Sequence, residues 1–437
     1  MKLSLSTSAG SFLGGRTFAS LRSHRNYRLY FFGQFLSMTG TWLQSAAMAW
    51  LVLELTHSAF AVGLLAFWQF GPYAVLGLFG GALSDRLDHR TTLIVAQVAL
   101  GLCSGAMAVL TLAHVVSLEE TYAVAALRGL VLVLNNPSRQ AFIFQMVGRK
   151  ELPNAIALNS SVANATRIVG PGIGGLLIAA FGVGICFGID AISYVAVVVA
   201  LLMMRVDELV PVEQRERPTM LRSIGEGLTY VWRTPALLLA LSTFLLICVA
   251  GINFSVLLPI LASQTLRSGA QVYGLLTACF GAGALVGALI SASLGRATWR
   301  ILLLSAGGFG LGELILAPQR SVAGAILLLF ATGICYTLYT SNTNSLVQLS
   351  TPGYLQGRVA GLFSYIFAGS SPLGALLAGA LAERGGTDLA FLVAGGTALT
   401  CALAATFFAR HGGDRGSYTP PVSKTPAVVP QPPRPQA

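Results

Sequence analysis

Ten residues, Gly81-Ala82-Leu83-Ser84-Asp85-Arg86-Leu87-Asp88-His89-Arg90, constrain the fold of this chain more than any others. They gather Asp85, Arg86, Asp88 and Arg90 in a protein of which only 10% is charged. The runs on either side, 60–83 and 91–116, are apolar. About 20 apolar residues in a helix cross a hydrocarbon core about 30 Å thick. Backbone inside lipid has to satisfy its own hydrogen bonds, so two such runs with a charged turn between them read as two membrane helices and a loop in water.

The rest of the chain repeats that alternation. Of its 437 residues 54% are hydrophobic, and soluble domains carry about 25% charged residues. We place twelve spans: 27–53, 59–83, 91–114, 121–144, 154–180 and 184–204, then 236–262, 271–294, 300–317, 321–345, 357–382 and 387–409. The expected division is a polar segment 1–26, a six-helix bundle 27–204, a linker 205–235, a second bundle 236–409 and a proline-rich, disordered tail 410–437. In the linker, Leu221, Ile224, Leu228 and Val231 recur at helical spacing, which predicts a short amphipathic helix on the membrane surface.

The net charge of +11 does not point to nucleic acid. Only Arg267, Arg320 and Arg384 fall in one set of loops, and Arg128 and Arg167 fall inside spans. The other 22 of the 27 Lys and Arg lie in the termini and the opposite loops, a positive-inside bias that puts both termini in the cytoplasm. The six cysteines (103, 186, 248, 279, 335 and 401) stand singly in apolar spans, so neither disulfide nor metal site is expected. No secretory signal is expected at the N-terminus. No ATP-binding loop G-x-x-x-x-G-K-[ST] occurs, and no cofactor is expected.

The chain repeats itself. Gly63-Leu64-Leu65 with Gly71 echoes Gly274-Leu275-Leu276 with Gly281. Residues 82–90 align with 292–300, so Arg86 maps to Arg296, Arg90 to Arg300 and Asp85 to Gly295. Gly170-Pro171 matches Ser371-Pro372. Paired halves of this kind are a transporter architecture with the substrate site between them. In span five, Arg167-Ile168-Val169-Gly170-Pro171-Gly172-Ile173-Gly174-Gly175 presents a face nearly free of side chains, where another helix can come close. A charge at mid-bilayer costs about 2.5–3.5 kcal/mol, so each intramembrane ionisable residue needs a reason. These are Arg128, Arg167, Asp190, Glu313 and, at the end of span one, Glu54.

The charged turn resembles the loop after the second helix of major facilitator superfamily (MFS) transporters, G-x-L-[AS]-D-[RK]-x-G-[RK]-[RK]. Gly81, Leu83, Ser84, Asp85, Arg86 and Arg90 match; Asp88 replaces a glycine and His89 a cation. Gly170, Pro171, Gly174 and Gly175 resemble the G-P-x-x-G-G core of the fifth-helix motif of MFS antiporters, with Thr166 where that motif has an upstream glycine. Asn136-Pro137-Ser138-Arg139-Gln140-Ala141, Glu151-Leu152-Pro153-Asn154-Ala155 and Tyr273-Gly274-Leu275-Leu276 narrow the likeness, over about residues 25–409, to the branch that includes bacterial enterobactin and macrolide efflux proteins. That branch often has Asp in a first-helix Gly-Asp-Trp; this chain has Gly40-Thr41-Trp42.

The resemblance implies an all-α bundle of twelve transmembrane helices in two pseudo-symmetric halves, with spans one, four, seven and ten lining the cavity. Substrate contacts are then expected from Arg128 and from the amides Gln34, Gln44, Asn135, Asn136, Asn253, Asn342 and Asn344. Trp42, Trp68, Phe70 and Phe254 are expected to add apolar contacts. Gly81, Asp85, Arg86, Arg90 and Arg139 are expected to form a latch closing the cytoplasmic side. The expected function is export of a small amphipathic compound (siderophore, drug or metabolite) across the cytoplasmic membrane by a monomer. Asp190, then Glu313, then Glu54 are the expected proton carriers. The alternatives are a nutrient importer and a polytopic membrane enzyme; the latter lacks a clustered nucleophile, metal site or acid–base pair.

Overall fold

The computed structural model describes residues 18–211 and 220–411. Most of the polar start, part of the linker and nearly all of the proline-rich tail lie outside the described residues. A short helix α1 (Ala19–Ser23) leads into α2 (Arg25–Thr56), α3 (Ala59–Ser84), α4 (His89–Leu112), α5 (Leu118–Phe181) and α6 (Val183–Leu202). Then come α7 (Met220–Arg233), α8 (Pro235–Ala250), α9 (Phe254–Ile260), α10 (Ala270–Leu294), α11 (Trp299–Leu316), α12 (Val322–Leu349), α13 (Gln356–Gly369) and α14 (Ser371–His411).

These helices make twelve crossings among the described residues. α5 is spans four and five, divided at Gly148, whose φ of 67° suits a residue without a Cβ. Gly386, at φ 68°, divides spans eleven and twelve inside α14. α2 is span one, and Gln34, Ser37, Thr39, Thr41 and Gln44 dilute its apolar residues. Span seven is not the continuous helix its apolar sequence suggests. It breaks at residues 251–253 between α8 and α9 and ends in a π turn, Leu261–Thr265.

Lipid is as apolar as leucine, so close packing rather than water exclusion holds such helices together. In the first half α3 packs on α5, α4 on α6, and α2 on both α5 and α6. In the second half α10 packs on α12, α11 on α14, and α8 on α14. Two seams join the halves, α3 with α14 and α5 with α10.

We call the end that carries the Gly81 to Arg90 turn and the linker the near end, and the opposite end the far end. At the far end the seams are glycine to glycine. A Cβ on Gly274 would lie 2.7 Å from the Pro171 carbonyl oxygen and 2.8 Å from Gly175 Cα. A Cβ on Gly63 would lie 2.5 Å from the Ala375 oxygen and 3.1 Å from Gly379 Cα. These contacts correct the repeat: the counterpart of Pro171 is Ala375, not Pro372, and that of Gly175 is Gly379. Backbone approach sets the register; the prolines sit a turn apart.

The apolar core follows the same division. One body of buried side chains, from Leu43 to Ala402, joins both halves through the middle and far levels. At the near end there are two separate cores. One holds Tyr27, Phe142 and Leu201; the other holds Val231, Leu241, Val347 and Val359. The linker helix α7 belongs to the second. Val231 is buried, Tyr230 donates to the Ser350 oxygen at 3.1 Å, and Glu226 pairs with Arg358. α7 docks on the second half through Val231 and leaves Leu228 exposed; the side chains of Leu221 and Ile224 in the expected apolar stripe lie outside the described residues.

Candidate functional site

Between the halves lies a cavity of about 330 Å³. Spans one, two, five, seven, eight, ten and eleven line it; span four does not. Its wall includes the rings of Trp42, Phe70, Phe254, Tyr273, Phe280, Tyr336 and Phe367. Phe254 stacks on Phe280 with centroids 4.3 Å apart. Its uncharged polar groups include Gln69, Asn253, Thr277 and Ser371, and its one charged residue is Arg167. The guanidinium carbon of Arg167 sits 5.3 Å from the centroid of the Trp42 ring. The chain comes this close because Gly170 has no side chain: a Cβ there would lie 2.5 Å from Trp42 Cβ.

The far end of the cavity is shut. Trp50 of span one stacks on Tyr273 of span eight at 5.9 Å. Gln264 donates to the His57 oxygen at 3.0 Å. Glu383 of span eleven accepts from Ser58 Oγ at 3.0 Å and from the Phe60 amide at 3.1 Å, at the positive start of α3.

Of the expected cavity amides, the lining includes Asn253 alone, beside the break in span seven. Gln34 and Gln44 are buried within the first half, and Gln44 donates to Met48 Sδ at 2.6 Å. Asn135 accepts from Gln97 at 3.5 Å, and Asn136 is half-buried beside it in sequence. Asn342 is spent on the near end of the second half, accepting from the Thr298 amide at 3.0 Å and donating to its carbonyl at 2.9 Å. Asn344 accepts from Gln348 at 3.0 Å.

Arg128 does not line the cavity either. It lies inside the first half, 3.5 Å from Asp190, with Ser104 at 2.7 Å and Tyr194 at 3.2 Å. Ser104 donates to Asp190 at 2.6 Å, which closes the cluster across spans three, four and six. An exchange in which substrate replaces Asp190 on Arg128 therefore has no path in this conformation. Glu313 differs: it is fully buried, and neither carboxylate oxygen has a hydrogen-bond partner. It lies against the break in span seven, where a Cβ on Gly251 would be 3.3 Å from its Oε2. Glu54 is exposed at the far end and accepts from Trp50 Nε1 at 2.6 Å.

In the charged turn, Ser84 and Ser138 hydroxyls meet at 2.8 Å and tie span two to span four. Asp88, the residue that departs from the pattern, caps α4 by accepting from the Thr91 amide at 2.7 Å. Hydrogen bonding by Thr91, with smaller help from His89 and Arg90, holds its carboxyl below the usual carboxylate range. Arg90 donates to the carbonyls of Leu201 and Leu202 at the end of α6, which would otherwise lack partners. Arg86 is exposed, and a Cβ on Gly81 would meet nothing within 4 Å. Arg139 is half-buried, and its Nε has no hydrogen-bond partner among the described residues.

Sequence reasoning missed the aromatic enclosure formed by Tyr273, Phe280, Tyr336 and Phe367. It had read Arg167 with the glycine motif rather than with the cavity. The usable signal was a cation at the middle of a span, one side-chain turn from a glycine facing Trp42.

Comparison with known proteins agrees with this architecture. The chain is 30% identical over 375 residues to the uncharacterized MFS-type transporter YfiS of Bacillus subtilis, covering 83% of this chain and 88% of that protein. It is 28% identical to the multidrug efflux pump Tap of Mycolicibacterium fortuitum, over 87% of this chain and 95% of that one. It is also 28% identical to the enterobactin exporter EntS of Shigella flexneri, over 83% and 86%. Among solved structures, the nucleoside transporter NupG superposes with a TM-score of 0.69 at 13% identity, over 88% of this chain and 98% of that one, which speaks to the fold alone. Residues 16–420 match the family described as transmembrane secretion effector. The chain therefore belongs to that family of major facilitator superfamily transporters, a membrane transporter and not an enzyme.

Proposed function

We propose that this protein, acting as a monomer, exports a small amphipathic molecule from the cytoplasm by alternating access, in exchange for entering protons. The observation that carries the reading is the aromatic cavity between the halves, sealed at the far end by both glycine seams. The near end is the cytoplasmic one on the distribution of Lys and Arg, so the sealed far end faces outward and the membrane is the cytoplasmic one. Opening to the other side requires the far-end contacts to part and the near ends to close. The turn from Gly81 to Arg90 supports that closure, with Asp85 offered to the start of α13 near Gly357, where a carboxylate is favoured by about 0.3–1 kcal/mol.

For the proton, the geometry supports Glu313 ahead of Asp190. A fully buried acid with no partner among the described residues is carried far more cheaply neutral than ionised. It also touches the broken segment that lines the cavity, so ionising it and moving span seven belong to one event. Asp190 is committed to Arg128 and Ser104, and Glu54 is exposed.

The test is export in inverted membrane vesicles under an imposed pH gradient, with a siderophore as cargo. Cargo movement that collapses with the gradient is expected. Glu313→Gln is expected to lose pH-driven movement by tenfold or more while keeping passive exchange. Uphill movement that survives in Glu313→Gln and in Asp190→Asn would remove the proton from the account.

A further inference from the structure

Arg167 is a cation near the middle of a membrane helix, and among the described residues it makes no ion pair and no hydrogen bond. A charge inside a membrane span is ordinarily paired, and the contrast is in the same molecule: Arg167 is half-buried, while Arg128 has Asp190, Ser104 and Tyr194 around it. Nothing of the kind is offered to Arg167. Among the described residues the cavity wall contains no Asp and no Glu, so Arg167 gives it a net positive charge. One face of its guanidinium is covered by Trp42. The Nε has no partner, and the fork is left to whatever enters the cavity.

The chemistry of the missing partner follows from these groups. A guanidinium fork takes a planar two-oxygen acid group through two parallel hydrogen bonds, which an ammonium ion or a neutral hydroxyl cannot reproduce. Around it stand Phe70, Phe254, Phe280, Tyr273 and Tyr336, rings that favour another ring stacked or edge-on. The volume of about 330 Å³ lies at the small end of ligand pockets, enough for a fused ring with one acid group.

We propose that the cavity is a site for an aromatic anion, its acid group held by Arg167 and its ring packed among Phe70, Phe254 and Phe280. This rests on the cavity being the transport site and names the class of cargo. It also has an energetic consequence. An anion leaving a cell that is negative inside travels down the membrane potential. Each charge crossing 100 mV sustains a concentration ratio of about forty-fold, in addition to any proton exchange.

Equilibrium binding tests the inference separately from transport. The full-length protein in detergent is titrated by calorimetry with 1-naphthoate, 1-naphthylmethanol and 1-naphthylmethylammonium, which share a ring and differ in charge. Naphthoate is expected to bind at least tenfold more tightly than the alcohol, and the ammonium most weakly. Arg167→Gln is expected to bring naphthoate to the level of the alcohol while alcohol binding stays within twofold of wild type, which reports an intact cavity. Arg167→Lys is expected to fall between. Ammonium binding as tight as naphthoate, naphthoate binding unchanged in Arg167→Gln, or no binding by any of the three would each overturn the proposal. Binding as expected with no gradient-driven export in vesicles would leave this site standing and sink the export reading alone.

Discussion

In the first half the buried acid, Asp190, has Arg128 at 3.5 Å and Ser104 at 2.6 Å; in the second half the buried acid, Glu313, has neither. Thr332 stands as far from the start of span ten as Arg128 does from the start of span four, and its hydroxyl is turned to the Leu328 carbonyl at 2.7 Å. The helices beside the two acids differ in step. Span one runs unbroken over 32 residues, whereas span seven breaks at residues 251–253 against Glu313. The break precedes Pro259 of the same span, and a helix kinks away from its proline only where something local relieves its hydrogen bonds. The same plan has thus produced one half braced by a charge pair and another with a lone acid at a hinge. The braced half is suited to hold a shape, and the hinged half to change one when its acid gains or loses a proton.

The contrast is broken most directly at Arg128. Arg128→Met leaves Asp190 buried without its partner, which costs about 3–5 kcal/mol in comparable sites. Glu313→Met removes an unsatisfied polar group and is expected to be neutral or stabilising. Thermal unfolding in detergent checks both, and Arg128→Met with Asp190→Leu should recover most of the single-mutant loss. Equal losses for Arg128→Met and Glu313→Met would show that Glu313 too has a partner that matters.

The two halves should agree, by contrast, at the far-end seams. Gly274→Ala and Gly63→Ala each push a methyl against backbone, which costs about 1–3 kcal/mol in a tight interface. Because only the far-closed state contains these contacts, both variants should shift the population towards the state open at the far end. Gly71→Ala, where a Cβ meets nothing within 4 Å, is the control. Spin-label distances across the near end would shorten in the first two variants and not in the third. A shift for Gly274 alone would mean that only the α5–α10 seam holds the conformation.

How much of this was legible beforehand follows from which forces leave a trace in sequence. Apolar length and loop charge mark spans and turns, so twelve crossings could be read. The similar depth of Arg128 and Asp190 hinted at their pairing, because intramembrane charges are too costly to leave apart. The cavity could not be read, because polar amides also serve helix ends and helix contacts, as Asn342 does at Thr298. The break in span seven carries no proline or charge at residues 251–253 themselves; Pro259 follows in the same span, and Gly251 in an apolar run looks like any packing glycine. The repeat was misaligned by a turn because residue identity put proline with proline, whereas the seams are registered by close backbone approach.

Smaller effects are expected at the latches. Glu383 binds the start of α3 at the far end, and Asp85 is the candidate for the matching role at the near end. A carboxylate at a helix start is worth about 0.3–1 kcal/mol. Glu383→Gln should favour far-end opening and Asp85→Asn near-end opening, each by about two- to fivefold in population. The double variant should sit close to wild type. Cysteine accessibility at the two mouths reads this, and shifts in the same direction would refute opposed latches.

The finest distinction lies in the turns themselves. Asp88 caps α4 and Thr298, its counterpart in the repeat, caps α11 by accepting from the Ile301 amide at 3.3 Å. Losing such a cap costs about 0.5–2 kcal/mol, so Asp88→Ala and Thr298→Ala should be comparable near neutral pH. They should part in acid. The Asp88 carboxyl is held below its ordinary range in the folded protein. The stability that comes from its ionisation is therefore present above the unfolded value near 3.8 and fades as pH falls through the lower folded value. Thr298 has no proton to gain, so its cap is indifferent to pH. Asp88→Asn keeps the hydrogen-bond acceptor and removes the charge, and isolates the ionic part, worth about 0.3–1 kcal/mol at an exposed helix start. Melting temperatures of wild type and Asp88→Asn should differ slightly at pH about 7 and converge towards pH about 3, while wild type and Thr298→Ala stay a constant distance apart. If the Asp88→Asn difference did not narrow, the carboxylate would be acting as a plain acceptor, and its charge would add nothing that Thr298 lacks.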